Sequence, residues 1–346
     1  TLSPSSAASD VYKRQPYRYT FNITYRCNSK CKICNIWKIK PKGKEITIEE
    51  FSKILESVSR DVLWLTISGG EPSLRRDLSE FVIKATEICP NLALLNISTN
   101  GLLPKTIESS LKRALSSIRR KTKIVVTVSV DAYGKKNDKL RGGKGTWKKV
   151  RETIYRLEKM EKEYLNFRFG IQTTISKYNM GMIKELLMNF KDTDFYFTFA
   201  HSAELFRTVK KEVLKSCQEL FDTIKFLSKY IKVKGMEDFV AKLYMRLAYK
   251  QFKNREKQVL PCFSSYASLS IDPYCNLKAC NFMKYNLGNL RDNDYNIKDI
   301  LKSQSTRKIR KLIRAGMCSK CWMPCEAYPT IIHNFSVALI KALKME

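Results

Sequence analysis

Three cysteines fall within eight residues in YRCNSKCKICNIW, at Cys27, Cys31 and Cys34, directly after a run, YRYTFNIT, that reads as a strand. Thiolates are the usual ligands of iron-sulfur clusters, and four fill the corners of a cubane, so three leave one iron open. The spacing CxxxCxxC lets a single loop wrap three corners, and the open iron can then chelate a small molecule through nitrogen and oxygen. Zinc is the other reading of three closely spaced cysteines.

A second group follows near the C-terminus: Cys262, Cys275 and Cys280, then Cys318, Cys321 and Cys325 in CSKCWMPC. Two fully ligated clusters would need about eight thiolates, so six make one 4Fe-4S cluster the economical reading. By ligand type alone a zinc ribbon is the alternative. The eleven cysteines are clustered and no secretory signal precedes them. That argues against a disulfide framework and for metal in a reducing, cytoplasmic compartment. Cys89 and Cys217 stand alone in helical context and read as small buried hydrophobes. His201 closes the last of the strand-like runs, where it either touches substrate or is a satisfied surface residue.

The elements that must hold these groups alternate. Apolar runs rich in β-branched and aromatic residues occur at YTFNIT, VLWLTIS, LALLNIS, KIVVTVSV, FRFGIQTTI and FYFTFAH. Between them lie amphipathic stretches at 46–60, 77–88, 107–118, 146–164 and 180–190. Strands alternating with helices imply parallel pairing by right-handed crossovers. Six repeats fall short of the eight of a closed barrel, so the expected fold class is α/β, a partial (β/α)6 TIM-type barrel with its site at the C-terminal strand ends. Residues 206–260 carry no proline before Pro261's domain and read as a helical bridge. Residues 261–328 change to short runs and turns and form a small Cys-rich domain expected to be held by metal rather than by core. Residues 329–346 read as one amphipathic C-terminal helix covering a flank of the fold, or lying at a membrane interface.

Taken together, these segments resemble the radical S-adenosylmethionine (SAM) enzymes. CxxxCxxC after the first strand is joined by ISGGEP (Ile67–Pro72) after the second, STNG (Ser98–Gly101) after the third, and SVDAYG (Ser129–Gly134) after the fourth. NDKLRGGKGTW (Asn137–Trp147) is similar to the family's HDxxRGxxGxF, with Asn137 in place of His and Trp147 in place of Phe, and TTISKYN (Thr173–Asn179) resembles its fifth strand and turn. The resemblance implies SAM contacts from Gly69, Gly70, Glu71, Pro72 and Asn100, from Ser129 and Asp131 near the ribose, and from Arg141 to the carboxylate. The second cysteine group is similar to the SPASM or shorter twitch extension. Cys262, Cys280, Cys318 and Cys321 match the twitch ligands, Cys325 is close enough to replace one, and Cys275 stands where that pattern has Gly and is left as a spare or turn residue.

What the resemblance implies is an oxygen-sensitive enzyme whose Cys27, Cys31, Cys34 cluster passes an electron to SAM, giving a 5′-deoxyadenosyl radical that takes hydrogen from a substrate. It implies an external reductant of ferredoxin or flavodoxin type and one auxiliary 4Fe-4S cluster. Substrates of the expected kind are a peptide or a sugar or lipid head group. The alternatives are an RNA-modifying radical SAM enzyme or a zinc-stabilised nucleic-acid-binding protein.

Lys and Arg number 64 against 33 acidic residues, a net charge of +31. Such an excess permits nucleic acid, an anionic membrane surface or acidic peptides as partners, or simply solvated basic faces. No apolar run approaches the roughly 18 residues that cross a bilayer. No separate peptide-binding domain precedes the barrel, which counts against leader-peptide recognition. The opening TLSPSSAASDVYKRQ differs in texture from the rest and matches the translation of a transposon adaptor, so residues 1–15 are expected not to be native.

Overall fold

In the first strand, β1 (Arg18–Thr24), Tyr19, Phe21 and Ile23 point into the main hydrophobic core while Thr20 and Asn22 face a cavity. The same division recurs in β2 (Trp64–Gly69), β3 (Leu94–Thr99) and β4 (Lys123–Ser129). Side chains alternate across a strand, so one face packs apolar residues under helices and the other presents hydroxyls and amides. Parallel register keeps the polar rows aligned, with Asn22 beside Ser68, Thr66 beside Asn96 and Ser98 beside Thr127. β5 (Phe167–Ile175) and β6 (Phe195–Phe199) complete a parallel sheet in the order β6-β5-β4-β3-β2-β1. The computed structural model describes residues 15–118, 122–203, 205–208, 212–254 and 257–343.

Helices cover the outer face. α1 (Ile48–Glu56) starts at a capping box in which Thr47 and Glu50 bond reciprocally. α2 (Leu78–Ile88), α3 (Pro104–Ser117), α4 (Lys135–Arg141), α5 (Thr146–Glu163) and α6 (Ile183–Met188) follow. Phe51 of α1 meets Phe21 of β1 at 4.8 Å and Phe81 of α2 at 4.9 Å, both edge-on. The sheet does not close, and the expected partial barrel stands.

The remaining chain departs from expectation in three ways. The bridge is a hairpin of α7 (Gln218–Tyr230) and α8 (Met236–Lys253) rather than helix throughout, with α7 ending at Tyr230 and extended Gly235 standing at the start of α8. The Cys-rich region is not set apart from the barrel: β7 (Ser268–Ile271) adds to β1 in parallel, and β8 (Asn276–Lys278) and β9 (Asn286–Asn289) continue antiparallel, giving one nine-stranded sheet. After α9 (Ile297–Lys302) and α10 (Gln304–Arg314), the last stretch is two helices, α11 (Pro324–His333) and α12 (Phe335–Leu343), divided at Asn334. α11 begins inside the cysteine motif, with Pro324 in its first turn, where the missing N–H costs nothing. Apart from Gln15, the segment expected to be foreign lies outside the described residues. Cys89 is fully buried in the main core, and Cys217 packs half-buried beside the second core under α7 and α8. Among the described residues no helix is long and apolar enough to cross a membrane.

Candidate functional site

The loop bearing Cys27, Cys31 and Cys34 lies across the C-terminal strand ends and is tied down on both sides. From the β2 side, Gly70 N–H donates to Thr24 O at 2.7 Å and Glu71 N–H to Arg26 O at 2.8 Å. On the α4 side, Lys32 N–H donates to Leu140 O at 2.8 Å and Ser29 Oγ to Arg141 O at 2.6 Å. Both beds are glycine because the backbones touch. A Cβ on Gly70 would sit 2.2 Å from Arg26 O, and one on Gly142, at φ +90°, would sit 2.3 Å from Lys30 O. Proximity to the thiol-bearing loop, not only to a ligand, thus requires glycine in GGEP and RGG.

Glu71 and Pro72 are not at the surface of the site. Glu71 is fully buried and accepts from Ser73 N–H at 3.1 Å, Ser73 Oγ at 2.6 Å, Thr99 Oγ1 at 2.8 Å and Asn100 N–H at 2.6 Å. It joins the end of β2 to the end of β3. Burial raises its pKa, and the bonds from Ser73, Asn100 and Thr99 oppose that. Asn100 does reach the loop, donating to Asn28 Oδ1 at 2.7 Å with Cys27 Sγ 3.9 Å away. Arg141 pairs with Asp131 at 2.7 Å, and Asp131 also accepts from Thr174 N–H at 2.9 Å. Asp131 therefore holds Arg141 from behind the wall, and Ser129 lines the cavity.

Burial pushes the Cys27 thiol up to about 11 and the Cys34 thiol up to about 12. Burial alone would lower the Arg141 pKa, but the facing Cys31 and Asp131 groups raise it. Its Nε has no partner although it is buried, beside a thiol-lined opening. Such a cation, held by one carboxylate and still short of a partner, suits an anionic group in the opening.

The cavity behind these groups measures about 1760 Å³ and runs the length of the strands. At one end are the three thiols with Gly69, Gly70, Asn100 and Arg141; at the other are Arg18, Trp64, Leu94 and Lys123 from the strand starts. Between them stands the polar wall of Thr20, Asn22, Thr66, Ser68, Asn96, Ser98, Thr127, Gln172 and Thr174. These wall residues were not singled out from sequence, yet they carry a legible signal: polar side chains at every second position of otherwise apolar runs. Among them, Thr66 Oγ1 is buried without a partner. His201 also lines the cavity, and its Nε2 accepts from Trp322 N–H at 3.1 Å, so it joins the end of β6 to the second cysteine motif.

In that second group, Cys280 is buried, Cys262, Cys321 and Cys325 are half-buried, and the four lie within electrostatic reach of one another. Burial raises all four thiols, Cys325 to about 12. Cys318 is near Cys262 and receives a bond from Gln258 Nε2 at 3.4 Å. Cys275 faces elsewhere. It sits at φ +62° in the turn closed by its own N–H on Asp272 O, and its charged neighbours are Arg291, Glu50 and Asp272.

Both donor sets fit iron-sulfur clusters by their chemistry, since each is rich in thiols, although the buried Glu326 carboxylate lies beside the second. A single zinc ion needs its ligands gathered about one point, at Zn–S near ~2.3 Å. Among the described residues no three His, Cys, Asp or Glu side chains are so gathered.

An open α/β barrel with a thiol loop at the C-terminal strand ends and a thiol-rich extension is the architecture of a metallocofactor enzyme. Residues 21–187 match the Radical SAM superfamily and residues 262–322 match SPASM, an iron-sulfur cluster-binding domain. The chain belongs to the radical SAM superfamily and carries a SPASM domain, so the cofactors are a 4Fe-4S cluster with SAM and auxiliary iron-sulfur chemistry. It is 26% identical over 173 residues to the sporulation killing factor maturation protein SkfB of Bacillus subtilis, covering 50% of this chain and 39% of that one. It is 36% identical over 106 residues to a probable GTP 3′,8-cyclase of Methanocella arvoryzae, covering 30% and 33%. The chain thus spans well under two thirds of either relative. The fold is similar to that of Streptococcus suis SuiB bound to S-adenosylmethionine, at TM-score 0.62, with 18% identity over 96% of this chain and 78% of SuiB. For SuiB bound to its precursor peptide SuiA the TM-score is 0.57, over 95% and 76%.

Proposed function

We propose that this protein is a radical SAM enzyme that cleaves SAM reductively and takes a hydrogen from a peptide lying along the barrel wall. The observation that carries the reading is the single cavity that joins the Cys27, Cys31, Cys34 loop to the aligned polar rows of β1 to β5. When bound, the cluster supplies the electron that breaks the carbon–sulfur bond of SAM, leaving methionine and a 5′-deoxyadenosyl radical. The chain does the rest. Gly70 and Gly142 let the thiol loop seat, Asn100 orients it beside Cys27, and Arg141, fixed by Asp131, meets the SAM carboxylate. Ser129 takes the ribose.

Hydroxyls and amides at every second position along a strand match the N–H and C=O groups of an extended chain, which supports a peptide over a compact nucleotide. SkfB, a maturation protein, and SuiB, bound to a precursor peptide, agree with that; the GTP cyclase relative shows that ancestry by itself does not select the substrate. Cys262, Cys280, Cys321 and Cys325 would hold one auxiliary cluster, and a small reductant of ferredoxin or flavodoxin type would supply electrons. The basic excess would favour an anionic partner.

Protein prepared without oxygen and given a strong reductant should release 5′-deoxyadenosine from SAM. Release that persists after Cys27, Cys31 and Cys34 are all changed to Ala would overturn the assignment.

A further inference from the structure

The final helix is turned inside out for a solvated surface. In α12 the fully buried side chains are the small ones, Ala338 and Ala342, with Leu339 half-buried beside them, whereas Phe335, Val337, Ile340 and Leu343 are 37%, 45%, 57% and 65% exposed. A helix covering a globular core normally turns its large apolar residues inward and polar ones outward. A second exposed feature lies at the same end. The turn KYIKVKGM (229–236) between α7 and α8 alternates exposed Lys229, Lys232 and Lys234 with Tyr230, Val233 and Met236, the last 68% exposed. Phe239 of α8 meets Phe335 of α12 at 6.1 Å, which brings turn and helix together. Lys232, Lys234, Met236 and Phe335 all border the cavity, on the side away from the thiol loop.

We propose that α12 and the 229–236 turn form a docking face for an anionic lipid bilayer, which places a second mouth of the cavity against the membrane surface. Large apolar side chains enter the boundary between head groups and acyl chains, and the lysines meet the phosphates, the combination by which interfacial helices bind. Charge selects this occupant over a second copy, since two chains of net charge +31 repel. Position selects it over an acidic peptide held in the cavity mouth, because Val337, Ile340 and Leu343 lie outside the cavity and only a broad surface covers them together with the turn. The inference goes beyond the catalytic reading and does not depend on it.

The full chain should co-sediment with vesicles of phosphatidylcholine containing phosphatidylglycerol, and about tenfold less with phosphatidylcholine alone, an effect that added salt weakens. Val337→Asp with Ile340→Asp should cut vesicle binding by about tenfold or more while circular dichroism and SAM cleavage stay as in the parent, because neither residue borders the cavity or the core. Lys229→Glu, Lys232→Glu and Lys234→Glu together should remove the preference for anionic lipid. Equal binding to both kinds of vesicle, or binding untouched by the two aspartates, would overturn the proposal. So would a dimer in sedimentation equilibrium that Ile340→Asp dissolves, or capture of polyglutamate by a chain that ignores vesicles.

Discussion

At Gly70 the resemblance and the structure assign different duties to one residue. By resemblance its backbone meets the methionine of SAM; in the fold its missing Cβ makes room for Arg26 O of the thiol loop. The two duties have different consequences. Gly70→Val or Gly142→Val should unseat the loop, lowering stability by about 1 to 3 kcal/mol as overpacking does and reducing cluster incorporation. The checks are iron content and a thermal melt of the metal-free chain. Full iron and an unchanged melt with weakened SAM binding would return Gly70 to ligand contact alone. The auxiliary thiols divide in the same way. A chain lacking Cys27, Cys31 and Cys34 should retain about four irons, one cubane. In that background Cys275→Ala and Cys318→Ala should leave the iron in place, whereas Cys280→Ala and Cys325→Ala should lose it. Zinc after anaerobic reconstitution, or iron lost with Cys275, would refute the ligand set.

Between elements, one ion pair fastens the SPASM region to the barrel. Arg291, in the turn after β9, bonds Glu50 of α1 at 2.7 Å, and Tyr295 Oη donates to the same carboxylate at 3.1 Å. Glu50 also closes the capping box of α1, so one carboxylate serves a helix start and a domain joint. The Arg291 bond, followed by the bonds from Thr47 and Tyr295, lowers its pKa to about 2. A carboxylate whose folded pKa is lowered adds stability above its unfolded value, near ~4.3, and loses it as pH falls toward the folded value. Discounted for the partial exposure of the pair, the contribution is about 1 to 2 kcal/mol. Glu50→Gln should therefore destabilise the chain at pH 7 and make little difference near pH 2. A parallel offset in melting temperature at both pH values would show that the ionised pair carries no such linkage.

Across the whole molecule, the pairing of β7 with β1 makes barrel and SPASM region one sheet. Metal binding in such a region is part of its folding energy. Cys280→Ala should consequently lower the melting temperature of the barrel as well, in one transition; two separate transitions would mean that the regions fold independently. A net charge of +31 also repels itself, and salt at 0.1 M screens exposed charges more than about 10 Å apart. Raising ionic strength should raise the melting temperature unless exposed ion pairs such as Arg113 with Glu80 offset the gain.

Local chemistry was legible from sequence wherever neighbours along the chain do the work. The three-thiol loop and the six strands are read from spacing and period, because ligand reach and strand alternation act over a few residues, while the glycine turns and Arg141 come from the family resemblance of their short segments. Polar alternation within the strands already encoded the cavity wall. Only the fold decided what depends on distant parts meeting. It placed Glu71 and Asp131 behind the site as braces, because their partners at Thr99, Asn100, Thr174 and Arg141 come from other strands and loops. It separated Cys275 from Cys280, five residues on, because a left-handed turn and the β7–β8 hairpin send their side chains to different neighbours. It joined the SPASM strands to β1, since pairing of an edge strand is a matter of which free edge lies near, and no local pattern states that.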